Sequence, residues 1–188
     1  MVIGKLDPGQ ARHTTLKKAV EIGLDEAFTA LEESFHDLSD EQVWSFPLPG
    51  RHNICTIVMH LQANLDEYTC RTQTGRHRLE HEERFDVWQF GPEELRAKMH
   101  DLPTVEQMLR RHRTLREAAM AGLAAASEED LLGPRVTDTY WWQQQKRTSA
   151  DAYMRTVFHT MAHVRQIWLM RGAMGLTDKD GWPEQHWA

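Results

Sequence analysis

Three histidines in apolar surroundings are the residues of this sequence best suited to chemistry. His159 and His163 stand four residues apart in Phe158-His-Thr-Met-Ala-His-Val-Arg-Gln-Ile167, so on a helix both rings project from one face within reach of a single ion. His60 stands in a second apolar run, Ile57-Val-Met-His-Leu61. A buried imidazole without a hydrogen bond or a metal costs roughly 1 to 3 kcal/mol. Three such rings together predict a site for one divalent metal ion.

The other histidines have neighbours that argue against a metal site. His77 and His81 also stand four residues apart, but arginines and glutamates surround them and few apolar residues are present to dehydrate an ion. The remaining rings lie among charged or turn residues, and we predict that they are at the surface: His13, His36, His52, His100, His112 and His186. For any lone ring in an apolar run, the alternative is a core histidine hydrogen-bonded to a neighbour.

Four segments with the helical period must position these rings. They run from about 10 to 35, from 53 to about 72, from 104 to about 126, and from 149 to 172 or 175. The predicted N-caps are Asn53, Thr104, which forms a capping box with Gln107, and Ser149. Apolar residues surround nearly the whole of the last segment, which predicts that this helix is buried.

The sequence predicts an all-α fold, because no segment of useful length alternates as a strand does. Four helices of this length favour an antiparallel four-helix bundle, and residues 1–188 are expected to form a single domain. The connections between helices two and three and between three and four are long, as lids and pocket walls often are. Trp141 and Trp142 in the second connection either line an apolar pocket or seal the end of the bundle.

Composition and charge exclude several classes of function. A formal net charge of -6 argues against a nucleic-acid partner. The sequence has no apolar run of about 18 residues and no signal-peptide pattern, so we expect neither a membrane partner nor export. Cys55 and Cys70 fall on one predicted helix about 22 Å apart, which is too far for a disulfide. We therefore expect a cytoplasmic protein.

The order and surroundings of these motifs resemble the DinB/YfiT-like family of metal-binding helical bundles, over nearly the whole chain. The family has a histidine in its second helix, matched here by Ile57-Val-Met-His60-Leu-Gln-Ala-Asn64. It also has His-x3-His on its last long helix followed by Arg and Gln, matched by His159, His163, Arg165 and Gln166. The resemblance implies an up-down-down-up bundle, a zinc or nickel ion on the three histidines, and a homodimer.

Three neutral histidines leave a tetrahedral ion one ligand short, which is typical of catalytic sites. The resemblance implies thiol-dependent S-transferase chemistry on a small electrophile, with a low-molecular-weight thiol as cosubstrate. The alternatives are a metal-dependent hydrolase and a non-catalytic stress or binding protein, which a fourth protein ligand such as Glu67 would favour. Asn64 and Gln166, about one turn beyond His60 and His163, are candidates for orienting a ligand or the substrate.

Overall fold

The helical class predicted from the sequence is confirmed. The structure is a computed structural model that describes residues 15–79, 91–98, 101–134 and 148–176. Its helices are α1 (Leu16–Phe35), α2 (Asp40–Trp44), α3 (Ile54–Leu65), α4 (Thr72–Thr74), α5 (Pro92–Ala97), α6 (Val105–Ala125), α7 (Glu128–Leu132) and α8 (Ser149–Ala173). A π-helical segment, Asp66–Arg71, joins α3 to α4. Within the described ranges, β structure is limited to one isolated bridge between residues 134 and 148.

Polar side chains cap the long helices close to the predicted positions. Asn53 accepts a hydrogen bond from the first turn of α3, and Thr104 begins α6 with a complete capping box. The prediction for α8 is wrong by one residue. Its cap is Thr148 rather than Ser149, because Asp151 stands at the third helical position and completes a capping box with Thr148.

Two short helices, α2 and α7, lie outside the four helical segments predicted from the sequence. Each is only five residues long, so neither has enough turns for an apolar period to be recognised. The missed signal is the capping box at each start, formed by Ser39 with Gln42 and by Ser127 with Asp130.

Contacts along the four long helices give their relative directions. Between α1 and α6, Lys17 contacts Ala124 and Phe28 contacts His112. Between α3 and the start of α6, Cys55 contacts Pro103 and Gln62 contacts Met108. Between α1 and α8, Gly23 lies beside Val157 and Ser34 contacts Arg171. Thus α1 and α8 run in one direction, and α3 and α6 run in the other. This is an up-down-down-up order, which holds α3 antiparallel to α8.

The hydrophobic core lies between these four helices. Its fully buried members include Leu24, Leu31, Ile57, Leu61, Leu65, Met108, Leu115 and Ile167. Burying one such side chain stabilises the fold by roughly 1.5 to 3 kcal/mol relative to leaving it exposed. The core therefore fixes the rotation of α3 and α8 about their axes, and with it the direction in which their histidines point.

The prediction that α8 is buried on nearly all sides is wrong. Val164 and Ile167 lie in the core, but Phe158 is 69% exposed, Leu169 is 64% exposed and Met161 is 37% exposed. A stripe of apolar side chains therefore lies on the outward face of the helix. Among the described residues, no helix is long and apolar enough to cross a membrane.

Candidate metal centre

The structure brings together the three histidines that the sequence analysis singled out. His60 on α3 faces His159 and His163 on α8, and each ring is partly buried. The Nε2 atom of His159 lies 3.3 Å from Nε2 of His60 and 3.2 Å from Nε2 of His163. One nitrogen from each ring lies within 4.8 Å of the other two, so the group has the geometry to hold a metal ion.

The spacing of these nitrogens fits a tetrahedral cation. Metal–nitrogen bonds of about 2.0 to 2.1 Å place two ligand nitrogens about 3.3 Å apart across a tetrahedral angle. Both distances from His159 Nε2 match this value. The third separation is at most 4.8 Å.

Burial keeps the rings of His60 and His159 in the neutral form that binds metals. It lowers the pKa of His60 to about 3, with a further contribution from the neighbouring His159 and His163 rings. It lowers the pKa of His159 to about 4, helped by His163 and then by the charge of Arg155. Near neutral pH, each of these two rings therefore keeps a lone pair on one of its nitrogens.

Gln166 and Asn64, the two candidates for orienting a ligand or the substrate, both contact the histidine cluster. The Nδ1 of His163 lies 2.8 Å from Gln166 Oε1. Because that oxygen only accepts, Nδ1 carries the proton and Nε2 keeps its lone pair towards the other rings. The side-chain amide of Asn64 lies 3.3 Å from both ring nitrogens of His60 and donates to the His60 carbonyl at 3.0 Å. Trp141 and Trp142 lie outside the described residues.

Glu67, named in advance as a possible fourth ligand, is engaged elsewhere. Its carboxylate pairs with Arg71 at 2.6 Å and lies 3.5 Å from the ring of His77. His77 also contacts the fully buried carboxylate of Asp66 at 3.2 Å, so this ring packs against the π-helical segment. Its predicted rival partner, His81, lies outside the described residues. Within the described ranges, the metal-binding group consists of the three histidines alone.

His112 is not at the surface, so this prediction is wrong. The residue is fully buried, and its Nε2 donates to the Phe28 carbonyl at 2.9 Å. Burial lowers its pKa to about 4. The signal was available, because His112 occupies a place in the buried stripe of α6 with Val105, Met108, Leu115, Ala119 and Leu123. Three arginines nearby in the sequence concealed it.

Sequence reasoning also missed Arg155, which stands one turn before His159 on α8. Its guanidinium carbon lies 5.9 Å from the centre of the Tyr68 ring in the π-helical segment, and its charge helps to lower the pKa of His159. The cluster therefore has a permanent cation beside it. The four-residue spacing from His159 was the signal that could have found it.

Comparison with known proteins supports a family assignment for this chain. A family model described as mycothiol S-transferase matches residues 19–175, which include all three clustered histidines. A search of curated proteins finds no match. The family is one of the DinB/YfiT-like families of the S-transferase-like superfamily, so the resemblance seen in the sequence is confirmed. The chain belongs to the mycothiol S-transferase family.

Proposed function

We propose that this protein is a metal-dependent thiol S-transferase in which His60, His159 and His163 hold one divalent cation, zinc or nickel. The observation that carries the proposal is the convergence of three imidazole Nε2 atoms in a member of this family. Three neutral nitrogens at tetrahedral spacing suit a borderline cation better than magnesium or calcium, which prefer oxygen ligands.

The proposed substrates are a low-molecular-weight thiol, of which the family name gives mycothiol, and a small electrophile. His60, His159 and His163 would hold the cation, which would supply a Lewis acid that lowers the pKa of the thiol. In the overall reaction the thiol loses its proton to solvent. Its sulfur forms a bond to the electrophilic carbon, and the leaving group departs with its bonding electron pair.

The protein's own side chains hold the ligands in position for this chemistry. Gln166 accepts the proton of His163 Nδ1 and so keeps the tautomer whose Nε2 points to the cluster. Asn64 lies against the edge of the His60 ring and limits its rotation. Because α3 and α8 are fixed by the core, the rings need little rearrangement to bind.

The first test is metal content per chain, measured by mass spectrometry on untagged protein. We expect one ion in the wild type and none in the His163→Ala variant. His36→Ala is the matched control, because His36 is an exposed histidine whose ring contacts only the nearby Glu33 carbonyl at 3.3 Å among the hydrogen bonds described. Loss of the ion from the His36 variant, or its retention in the His163 variant, contradicts the site assignment.

The second test is consumption of mycothiol and of other small thiols with a panel of electrophiles. Metal-dependent thiol loss in the wild type, absent from His163→Ala, supports the transferase. Thiol-independent hydrolysis of an ester or amide would replace this proposal with the hydrolase alternative. A bound ion without either activity would replace the transferase proposal with the alternative of a non-catalytic stress or binding protein.

We further propose that the protein acts in the cytoplasm. Cys55 and Cys70 are both free and buried in the structure, and a reducing compartment preserves such thiols. Burial raises the pKa of Cys70 to about 11 and that of Cys55 still further. Neither thiol is therefore suited to replace the external thiol as the nucleophile.

A further inference from the structure

Arg155 places a fixed positive charge beside the histidine cluster. It stands four residues before His159 on α8, so the two side chains share one face of the helix, and their backbone positions are about 6 Å apart along its axis. Arg155 is partly buried, and its Nε atom is buried. The proposed metal centre therefore has a neighbouring cation that is only partly screened by water.

Tyr68 shows on which side of the cluster this cation lies. Because α3 runs antiparallel to α8, a residue that follows His60 faces a residue that precedes His159. Tyr68 stands eight residues after His60, in the π-helical segment that continues α3, and its ring faces Arg155. Asn64 stands midway between His60 and Tyr68 and contacts the His60 ring. The guanidinium of Arg155, Asn64 and Tyr68 thus lie on the same side of the cluster.

The surroundings of Arg155 hold its guanidinium in a defined place. Its central carbon lies 5.9 Å from the centre of the Tyr68 ring, which is within the range of cation–π attraction. Tyr68 is only 8% exposed, and on α8 the neighbouring Ala152 and Thr156 are buried, so both partners are anchored in the core. A guanidinium carries a planar fork of N–H donors, which matches the two oxygens of a carboxylate.

The charge balance of the site favours an anion at this position. In the part of the chain that the structure describes, the group suited to hold a metal consists of three histidines, which bring no negative charge when they are neutral. A divalent cation held there would keep its full charge, and Arg155 adds a further positive charge. Like charges repel more strongly where water is partly excluded. A substrate that brings a negative group to the guanidinium offsets this repulsion.

We propose that Arg155 is a specificity-determining residue that binds a carboxylate of one substrate while the sulfur and the electrophilic carbon meet at the histidine cluster. This inference rests on the proposed transferase function and narrows its substrate class to pairs in which the thiol or the electrophile carries a carboxylate. The contact to the guanidinium is the same in both cases, so the test must separate the two sources.

The test compares the wild type with Arg155→Met on matched charged and neutral substrates. Iodoacetate and iodoacetamide are the electrophiles, offered with the neutral thiol N-acetylcysteine amide. N-acetylcysteine and its amide are the thiols, offered with the neutral iodoacetamide. In each reaction the thiol loses its proton to solvent, its sulfur bonds to the methylene carbon, and iodide leaves with the bonding electron pair. Cys55 and Cys70 are buried, so the protein's own thiols are poor competitors.

Arg155→Met should lower kcat/KM for the carboxylate member of one pair by about tenfold to a hundredfold, mainly through a higher KM. The amide member should change little. The pair that shows this difference identifies the substrate that carries the anion. Equal losses for charged and neutral members, or no loss for any of them, would indicate that Arg155 has only a structural role, and either result overturns the proposal.

Two further variants control for charge and for the general loss of an arginine. Arg155→Lys keeps the charge without the planar fork, so it should recover part of the preference for the carboxylate. Arg110→Met removes an exposed arginine from α6, and it should leave the preference unchanged. Metal content and thermal unfolding should match the wild type in all three variants. A preference that falls as far in Arg110→Met as in Arg155→Met contradicts the assignment.

Binding of the reaction products separates a failure of this proposal from a failure of the transferase function. The absence of thiol consumption from every wild-type reaction would count against the transferase. Calorimetry with the metal-loaded protein still tests Arg155, because it requires no turnover. The probes are the thioethers formed from these substrates, with the carboxylate on the acetate side, on the cysteine side, or on neither. Wild type should bind one carboxylate thioether about tenfold or more tightly than Arg155→Met does, and equal binding of both carboxylate probes by the two proteins overturns the proposal.

Discussion

His112 and the cluster of His60, His159 and His163 are two buried histidine environments in one bundle, and they differ in what surrounds the ring. His112 donates to one backbone carbonyl and packs against Phe28 and Phe35 at ring-centre distances of 5.4 Å and 6.5 Å. In the cluster, each Nε2 atom lies within 3.3 Å of an Nε2 atom of another imidazole. One arrangement satisfies a single donor, and the other brings three imidazole nitrogens together around one point.

The comparison shows that burial and a depressed pKa do not by themselves mark a functional histidine. The pKa values of His112 and His159 are both lowered to about 4, mainly by burial. What distinguishes the cluster is convergence, because several lone pairs at short distance are stable only with a cation or protons between them. Mutations should therefore separate metal binding from fold stability.

The largest expected effect is the loss of the metal from His159→Ala. His159 is the only one of the three whose Nε2 lies within 3.3 Å of both others, so its removal leaves two separated ligands. We expect metal affinity to fall by more than about a hundredfold. Competition with a chromogenic zinc chelator measures it. His112→Gln is the control, and an equal loss there would remove the distinction between the two environments.

His112→Ala is expected to affect stability and leave the metal in place. It creates a cavity beside Phe28 and leaves the Phe28 carbonyl without its donor, which together should lower the free energy of unfolding by about 2 to 4 kcal/mol. Urea unfolding followed by circular dichroism measures the change. Undiminished stability would mean that the pocket refills with water or neighbouring side chains.

The pH dependence of stability should carry the signature of His112. Its folded pKa of about 4 lies below the unfolded value of 6.5, because burial outweighs the opposing effect of Glu32. The unfolded chain therefore binds the proton more readily. The neutral His112 ring therefore makes its full contribution to the free energy of unfolding above pH 6.5. This contribution is lost as the pH falls towards 4, a change of about 3 kcal/mol. Urea unfolding of metal-free wild type and His112→Gln at several pH values isolates it as the difference between the two curves.

Gln166→Leu should have the smallest effect of the set. Without Gln166 Oε1, nothing holds the proton on Nδ1 of His163, and the competing tautomer directs a proton at the cluster. Metal affinity should fall about tenfold, or roughly 1.4 kcal/mol. The same chelator competition measures it. Gln166→Glu, which keeps an acceptor in place, should retain the affinity, and a loss of equal size in both variants would point to packing instead.

Much of the fold was predictable because local signals and the apolar period agreed. Asn53 and Thr104 are strong caps beside clear stripes, and α3 and α6 begin there. The start of α8 was missed by one residue because Thr148 and Ser149 are both good caps, and only Asp151 decides between them. The exposure of α8 could not be predicted, because its sequence is apolar on the outward face as well as the inward one.

The sequence could predict which histidine rings of the candidate site meet. It could not predict which other side chains surround them. The spacing of His159 and His163 on one helix fixes their relation, whereas the approach of His60 depends on tertiary packing. His112 was misjudged because charged residues flank it in sequence, although its own side chain is fully buried. Arg113 and Arg116 pair with Glu32 and Asp25 on α1, and Glu32 itself lies 3.9 Å from His112 Nε2.

The π-helical segment has the size of a single inserted residue, since a π turn carries one residue more than an α turn of similar rise. A π turn absorbs this residue without rotating the helix on either side of it. If one residue between 66 and 71 were deleted, the helix would return to the α form, and the segment beyond it would keep its orientation. The buried Asp66 could then keep the backbone amides of Arg78 and Leu79, which it binds at 2.6 Å and 3.1 Å. When related chains are aligned, a one-residue gap here would therefore mark the loss of the π turn beside an intact histidine cluster.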